Sequence, residues 1–110
     1  AEEALDITQP AQVLFNQIRA LRPQPGAWLA INGQRTKIWQ ATIADTTTTE
    51  PAGTIVAIDK QAFEIAAGDQ TVLKITEIQP AGKAKMPVQA YLNGVGKQLA
   101  VGQQVVVQDA

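Results

Sequence analysis

The feature that most constrains this chain is a Pro-rich break that separates a helical pattern from a strand pattern. Before the break, Val13, Leu14, Ile18 and Leu21 follow the three- and four-residue spacing of one helix face. The break reads Arg22-Pro23-Gln24-Pro25-Gly26, and each proline biases the residue before it away from helical geometry. The sequence therefore predicts a single helix ahead of a β-rich remainder.

The start of this helix is predicted from Thr8 and Pro10. Thr8 offers an N-cap hydroxyl, and Pro10 falls in the first turn, where its missing N–H does no harm. Residues 1–9 are predicted to be a linker segment and residues 10–110 a single domain. A chain of 110 residues is close to the usual domain size, and half of it would bury too small a core.

Short strand-like runs separated by turn signals follow the break. The run 27–31 leads into Asn32-Gly33, the strongest two-residue hairpin signal in the sequence, and the returning strand is predicted over 34–44. After a threonine-rich loop at 45–51, three more runs are predicted as strands at 53–59, 62–66 and 71–79. A last strand is predicted within 98–108, with a turn or bulge at Gly102.

A basic loop at 80–86 comes before the last strand, and a short helix follows it, beginning at Pro87 and ending at Asn93-Gly94. This order of elements fits a mostly β fold better than an alternating α/β pattern. We expect an OB-like small β-barrel with an N-terminal helix and a short helix before the last strand. An open α+β sheet and an SH3-like barrel remain alternatives, because one sequence does not give strand order.

The residue types that are absent constrain function more than those present. The chain has no His, no Cys and no Ser, which excludes Ser and Cys nucleophiles, a histidine base and the usual zinc ligands. The carboxylates at 45, 50, 59, 64, 69 and 77 are scattered singly, so no acid–base pair is evident. We therefore predict no catalytic, metal-binding or cofactor-binding residue on this chain.

The basic residues show a modest surplus once the chain ends are set aside. The net charge is −1, but residues 7–108 hold nine Lys and Arg against six Asp and Glu, which is a surplus of +3. Three basic pairs stand out, and they form a phosphate-tracking strip only if they meet on one face. The pairs are Arg19 with Arg22, Arg35 with Lys37, and Lys83 with Lys85.

The two tryptophans permit two interpretations. Trp28 and Trp39 lie on the two strands of the predicted hairpin, and aromatic side chains on an OB surface can stack on bases. The chain has only two Trp, two Phe and one Tyr, so core packing is predicted for both tryptophans. Base stacking is the alternative.

Two weaker motifs point elsewhere. Gly82-Lys83 and Gly96-Lys97 lack the second glycine and the following Ser or Thr of a phosphate-binding P-loop, so surface turns are predicted. Ala84-Lys85-Met86 is similar to the lysine-bearing turn of biotin carrier domains, although Ala84 replaces the first methionine of that motif. A covalent carrier on Lys85 is therefore an alternative that an intact mass would test.

Four motifs, in order, resemble the C-terminal domain of methionyl-tRNA formyltransferases. With Met86 and Tyr91-Leu92-Asn93-Gly94 the resemblance covers about residues 5–107. The motifs are the segment from Ile18 to Trp28 with its Ile-Arg-Ala helix end, Lys37-Ile38-Trp39, Pro51-Ala52-Gly53-Thr54-Ile55, and Ile78-Gln79-Pro80-Ala81-Gly82-Lys83.

The resemblance implies an accessory domain that adds positive surface to the contact with initiator methionyl-tRNA in a cytoplasmic enzyme of translation initiation. Its partner would be an N-terminal catalytic domain, whose co-substrate is 10-formyltetrahydrofolate, and no cofactor is expected in this chain. No contact with a membrane is expected, because no apolar run approaches the ~20 residues that span a bilayer. The tRNA-binding candidates are the six residues of the three basic pairs: Lys83, Lys85, Arg19, Arg22, Lys37 and Arg35. The resemblance carries over Lys83 best and Arg19 next, whereas other members of the family often have an uncharged residue at the position of Arg22.

Two other interpretations of the resemblance remain open. This kind of domain also follows formyltransferase domains that act on other formyl acceptors, where tRNA binding is not expected. A purely structural domain that orients the catalytic half is the other alternative, because fold alone does not decide function.

Overall fold

A computed structural model describes residues 3–21 and 26–106. Most of the predicted Pro-rich break lies outside these residues, and so does the candidate Arg22. The elements in chain order are β1 (Glu3–Ala4), α1 (Ala11–Ala20), β2 (Ala27–Ile31), β3 (Gln34–Ile43), β4 (Ile55–Ile58), β5 (Phe63–Ala66), β6 (Val72–Pro80), β7 (Met86–Pro87) and α2 (Val88–Leu92).

The strands form one sheet in the order β1-β2-β3-β6-β5-β4, and β7 pairs with β6. β1 runs parallel to β2, whereas every other pair is antiparallel. The prediction of a mostly β domain with an N-terminal helix and a short helix near the C-terminus is confirmed. The strand order is linear, with β1 and β4 at its ends, so strand pairing within the described residues does not close a barrel.

The β2–β3 hairpin forms where the sequence predicted it. Asn32 and Gly33 both have positive φ, 53° and 80°, which is the conformation that a type I′ turn requires. Glycine meets no steric cost there, and asparagine tolerates the left-handed region better than most residues. Local side-chain chemistry thus sets the register that pairs Ile31 with Gln34.

The core lies between α1 and the inner face of the sheet. Leu14 and Ile18 of α1 are buried in one cluster with Ile38 of β3 and Ile75 of β6. Val13 was predicted to share the buried helix face, but its side chain is 44% exposed. Each helical residue turns by about 100°, so Val13 is rotated away from the line that joins Leu14 and Ile18.

The start of α1 differs from the prediction. Thr8 does not cap the helix, because its hydroxyl donates to the Asp6 carboxylate at 2.6 Å, and this bond lowers the pKa of Asp6. Pro10 occupies the N-cap position without a side-chain cap. The first helical N–H, that of Ala11, donates instead to Oγ1 of Thr71 at 2.8 Å. The cap therefore comes from a residue far along the chain.

Residues 3–9, the described part of the predicted linker segment, pack against the domain. Leu5 and Ile7 are buried in the core, and β1 pairs with β2 through the registers Glu3↔Ala27 and Ala4↔Trp28. Gly68 lies so close to the backbone of Thr8 that a Cβ there would overlap the Thr8 carbonyl.

The prediction of a last strand within 98–108 is wrong for the described part of that range, residues 98–106. Only an isolated bridge between Thr54 and Gln104 occurs there, and Gly102 forms the predicted turn with a φ of 92°. The segment nevertheless bonds to the β2–β3 turn and to β4, because Asn32 N–H donates to the Val105 carbonyl at 2.7 Å and Ile55 N–H donates to the Gln103 carbonyl at 2.9 Å. The turn at 101–102 interrupts the extended run that a ladder needs.

Candidate functional site

The outer face of the β2–β3 hairpin carries tryptophans and cations side by side. In β3, Thr36 is buried, whereas Arg35, Lys37 and Trp39 alternate with buried positions and reach outward. Trp28 of β2 is the register partner of Lys37, so both strands contribute to the same outer face. Strand alternation alone therefore gathers these side chains on one surface.

Each of the two indole rings holds at least one cation. The guanidinium carbon of Arg35 lies 4.2 Å from the Trp28 ring centroid, and the Lys37 ammonium lies 4.4 Å from that of Trp39. The Lys85 ammonium reaches the same Trp39 ring at 4.8 Å from the loop between β6 and β7. Cations at these distances are attracted by the negative face of the ring. We call these five residues the tryptophan–cation strip.

The core positions predicted for the tryptophans are wrong. Trp28 and Trp39 are half-buried on the outer face, and neither belongs to the buried cluster. The aromatic rings of the core are instead Phe63 and Tyr91, whose centroids lie 6.2 Å apart. The small number of aromatic residues led to the prediction that both tryptophans pack in the core. On this surface their rings bind the side-chain cations of Arg35, Lys37 and Lys85 instead.

Gln79 connects the strip to the hexapeptide Ile78-Gln79-Pro80-Ala81-Gly82-Lys83, the fourth motif of the resemblance. The indole N–H of Trp39 donates to Oε1 of Gln79 at 3.0 Å, and Nε2 of Gln79 donates to the Lys83 carbonyl at 2.9 Å. Lys83 N–H closes a turn on the Pro80 carbonyl at 3.0 Å, and Gly82 has a φ of 77° as the third residue of this turn. The glycine is needed for its backbone conformation, and Gln79 fixes the turn against β3. The sequence predictions missed Gln79, although it stands inside the hexapeptide.

A shallow pocket of about 190 Å³ opens between the hairpin and this turn. Arg35 and Lys37 line it on the side of the hairpin, and residues 79–82 line it on the side of the turn. Ala81 N–H donates to the Arg35 carbonyl at 3.0 Å, which fixes the turn beside β3. Among the described residues no carboxylate lines the pocket, which is formed by Arg35, Lys37, Gln79, Pro80, Ala81 and Gly82.

The structure brings together two of the three predicted basic pairs. Arg35 and Lys37 meet the loop that carries Lys83 and Lys85, and Lys85 shares Trp39 with Lys37. Arg19 lies instead on α1, with its guanidinium 5.4 Å from the Phe15 ring. No hydrogen bond or ring contact between described residues joins Arg19 to the strip, and Arg22 lies outside the described residues.

Other kinds of site find no support in the described residues. No group of three or more carboxylates that could hold a metal ion occurs among residues 3–21 and 26–106. In the same part of the chain, no helix is both long and apolar enough to cross a membrane. Burial raises the pKa of the Tyr91 phenol above its ordinary value, but this ring packs in the core away from the strip.

The chain matches a known protein family. The family model described as formyl transferase, C-terminal domain, matches residues 1–96. The chain belongs to the formyltransferase C-terminal domain family. In this family member, Gln79 and the turn that follows it connect the hexapeptide to the strip.

Relatives of this formyltransferase C-terminal domain share a common name. The chain is 80% identical to the methionyl-tRNA formyltransferase of Latilactobacillus sakei subsp. sakei, over 99% of this chain and 34% of that protein. It is 48% identical to the enzyme of the same name from Lacticaseibacillus casei, over 98% of this chain and 34% of that protein. The chain thus spans about a third of the length of these curated relatives.

A solved structure with this fold comes from a different protein. HypX from Aquifex aeolicus, in complex with tetrahydrofolic acid, matches with a TM-score of 0.69 and 20% sequence identity, over 87% of this chain and 17% of that chain. A likeness at this identity shows a shared fold alone.

Proposed function

We propose that this chain contributes a phosphate-backbone contact to initiator methionyl-tRNA, as the C-terminal domain of a methionyl-tRNA formyltransferase. The observation that carries the proposal is the tryptophan–cation strip, in which Arg35, Lys37 and Lys85 are held on two indole rings. The contact is with phosphates rather than with bases, because cations cover faces on which a base would stack.

Holding the cations in advance strengthens such a contact. A lysine or arginine that becomes ordered on binding loses side-chain entropy of up to about 2 kcal/mol. Trp39 already restrains Lys37 and Lys85, and Gln79 fixes the turn that carries Lys83. These lysine side chains therefore become ordered largely when the domain folds, so a smaller loss of side-chain entropy opposes binding. Arg19 on α1 extends the basic surface in this proposal, as does Arg22 from outside the described residues.

Formyl transfer itself belongs to the remaining part of the parent enzyme in this proposal. The chain contains no His, Cys or Ser, and the strip offers cations and indole rings rather than an acid–base pair. The reaction would use 10-formyltetrahydrofolate in an N-terminal catalytic domain, in the cytoplasm where initiator tRNA is charged. The shared name of relatives that are 48–80% identical favours tRNA over other formyl acceptors.

Fluorescence anisotropy of labelled initiator tRNA, titrated with this chain at several salt concentrations, tests the proposal. We expect weak binding that tightens as salt falls. The double variant Lys83→Ala/Lys85→Ala should weaken binding and reduce the salt slope by about one for each phosphate that no longer meets a lysine.

The control variant Lys60→Ala/Lys97→Ala removes the same charge from two exposed positions outside the strip. Lys60 lies in the β4–β5 turn, and Lys97 follows α2. This variant should keep most of the affinity and the salt slope. Equal losses in the two variants would contradict a localised contact, and no binding at low salt would support a purely structural domain instead.

A further inference from the structure

We propose that Trp39 and Gln79 are positioning residues for the tRNA contact of Lys83 and Lys85. This role rests on the proposed function, because it concerns how that contact is held in place. It extends the residues that matter for binding to Gln79, which carries no charge. It also requires neither Trp39 nor Gln79 to touch the tRNA.

The loop between β6 and β7 carries both lysines on an exposed stretch of chain. All five of its residues, 81–85, are exposed. Backbone pairing holds the two ends of the loop, because Ala81 N–H donates to the Arg35 carbonyl at 3.0 Å and Met86 pairs with Ile78. An exposed stretch with few buried contacts opens easily, so the part between these ends depends on side chains that reach it from the sheet.

Trp39 and Gln79 supply contacts to both lysines of this stretch. Nε2 of Gln79 donates to the Lys83 carbonyl at 2.9 Å, and its Oε1 accepts from the indole N–H of Trp39 at 3.0 Å. The Lys85 ammonium lies 4.8 Å from the centroid of the same indole ring. Because both ends of the Gln79 amide are bonded, turning the amide over would lose both hydrogen bonds. The two lysines are thus connected to one pair of side chains on the adjacent strands β3 and β6.

Loss of this pair should weaken binding without removing any charge. A loop that moves freely before binding must become ordered when its lysines meet phosphates, and this loss of entropy opposes binding. The salt slope depends instead on the number of phosphates that are neutralised, which stays the same. An uncharged substitution of Gln79 should therefore lower the affinity by a similar factor at every salt concentration, whereas removal of the lysines should reduce the slope.

Gln79→Met tests this role, because methionine keeps the length of the side chain without its amide. In the anisotropy titration with labelled initiator tRNA, this variant should bind roughly three- to tenfold more weakly with an unchanged salt slope. In the background of Lys83→Ala/Lys85→Ala it should cause no further loss, because the pair acts through those two lysines. Gln98→Met, at an exposed glutamine outside the strip, is the matched control and should bind as the unaltered chain does.

A second measurement does not require tRNA. 15N relaxation of the amides at 82–84 should report larger motions in Gln79→Met than in Gln98→Met or the unaltered chain. Trp39→Phe removes the indole N–H and keeps an aromatic ring for Lys85, so it should show a smaller effect of the same kind. This milder variant keeps the comparison possible if the methionine variant is too unstable to study.

The outcomes separate the positioning role from the proposed function. An equal loss of affinity from Gln79→Met with and without the two lysines would overturn the role, because Gln79 would then act on the whole domain or contact the tRNA itself. Unchanged relaxation at 82–84 would overturn it as well. Either result with tRNA binding intact leaves the proposed function standing, whereas no binding by the unaltered chain at low salt would refute both.

Discussion

Trp39 and Gln79 are joined by a 3.0 Å hydrogen bond from the indole N–H to the amide oxygen, across the β3–β6 pair. The other end of the same amide donates to the Lys83 carbonyl at 2.9 Å. One side chain therefore satisfies an aromatic donor and fixes a basic turn at once. This relationship connects the stability of the domain to the position of its candidate binding residues.

Replacing Gln79 with alanine should lower the free energy of unfolding by about 1–3 kcal/mol, because it removes two hydrogen bonds worth about 0.5–1.5 kcal/mol each. Urea denaturation measures this change. Gln98→Ala is the matched control, since Gln98 is exposed and should change stability by less than about 0.5 kcal/mol. Gln79→Glu keeps the acceptor for Trp39 and loses the donor to Lys83, so an intermediate loss is expected. A loss as small as that of the control would refute the role of Gln79.

Thr71→Val should destabilise the domain by about 1–2 kcal/mol, because α1 then loses its only observed side-chain cap within the described residues. The Thr71 hydroxyl accepts from Ala11 N–H and donates to the Gly68 carbonyl at 2.6 Å. Thr71→Ser keeps the hydroxyl and should retain most of the stability. Hydrogen exchange of the Ala11 amide should become faster in the valine variant and not in Thr42→Val, an exposed strand position.

Gly96→Ala should destabilise the domain, whereas Gly94→Ala should be close to neutral. A Cβ on Gly96 would overlap the Tyr91 ring, and forcing atoms into a packed region costs about 1–3 kcal/mol. A Cβ on Gly94 would meet only the Ala90 carbonyl oxygen, at 3.7 Å. Thermal unfolding of the two variants provides the comparison. Equal midpoints would show that the Tyr91 ring moves aside without cost.

Stability should fall in alkaline solution through Tyr91. Burial raises the pKa of this phenol above its ordinary value of 10.0, so folding favours the protonated form. The contribution is fully present below the unfolded pKa and is lost as pH rises from that value through the folded pKa. Tyr91 is the only tyrosine of the chain, so tyrosinate absorbance reports it alone. Tyr91→Phe should remove the part of the decline that begins near pH 10 and continues above it, and an unchanged decline would contradict the assignment.

Features set by neighbouring residues were predictable from the sequence. Asn32 and Gly33 carry the left-handed preference of the hairpin turn in their own side chains, and Pro87 begins α2 close to where its fixed φ predicted. The Pro80–Lys83 turn likewise follows from Gly82. Each of these depends on interactions within a few residues, which a sequence displays directly.

Features that depend on distant partners were not predictable. The cap of α1 comes from Thr71 rather than Thr8, and the outward position of Trp39 depends on the register of β3 against β6, which shifts between Ile38 and Ala41. Because strand side chains alternate, one irregular step decides which face receives a residue. The composition gives the number of tryptophans, but it does not show on which face of the sheet they lie.

The segment at 103–106 has a consequence for the order of events during synthesis. Its carbonyls accept the amides of Asn32 and Ile55, which leave the ribosome long before their partners do. The β2–β3 hairpin can form early, but the edge of β4 stays exposed until Val105 emerges. An unpaired edge on a nascent chain can pair with a neighbouring chain instead. We therefore expect the domain to be most prone to aggregation in the interval before residues 103–106 leave the ribosome.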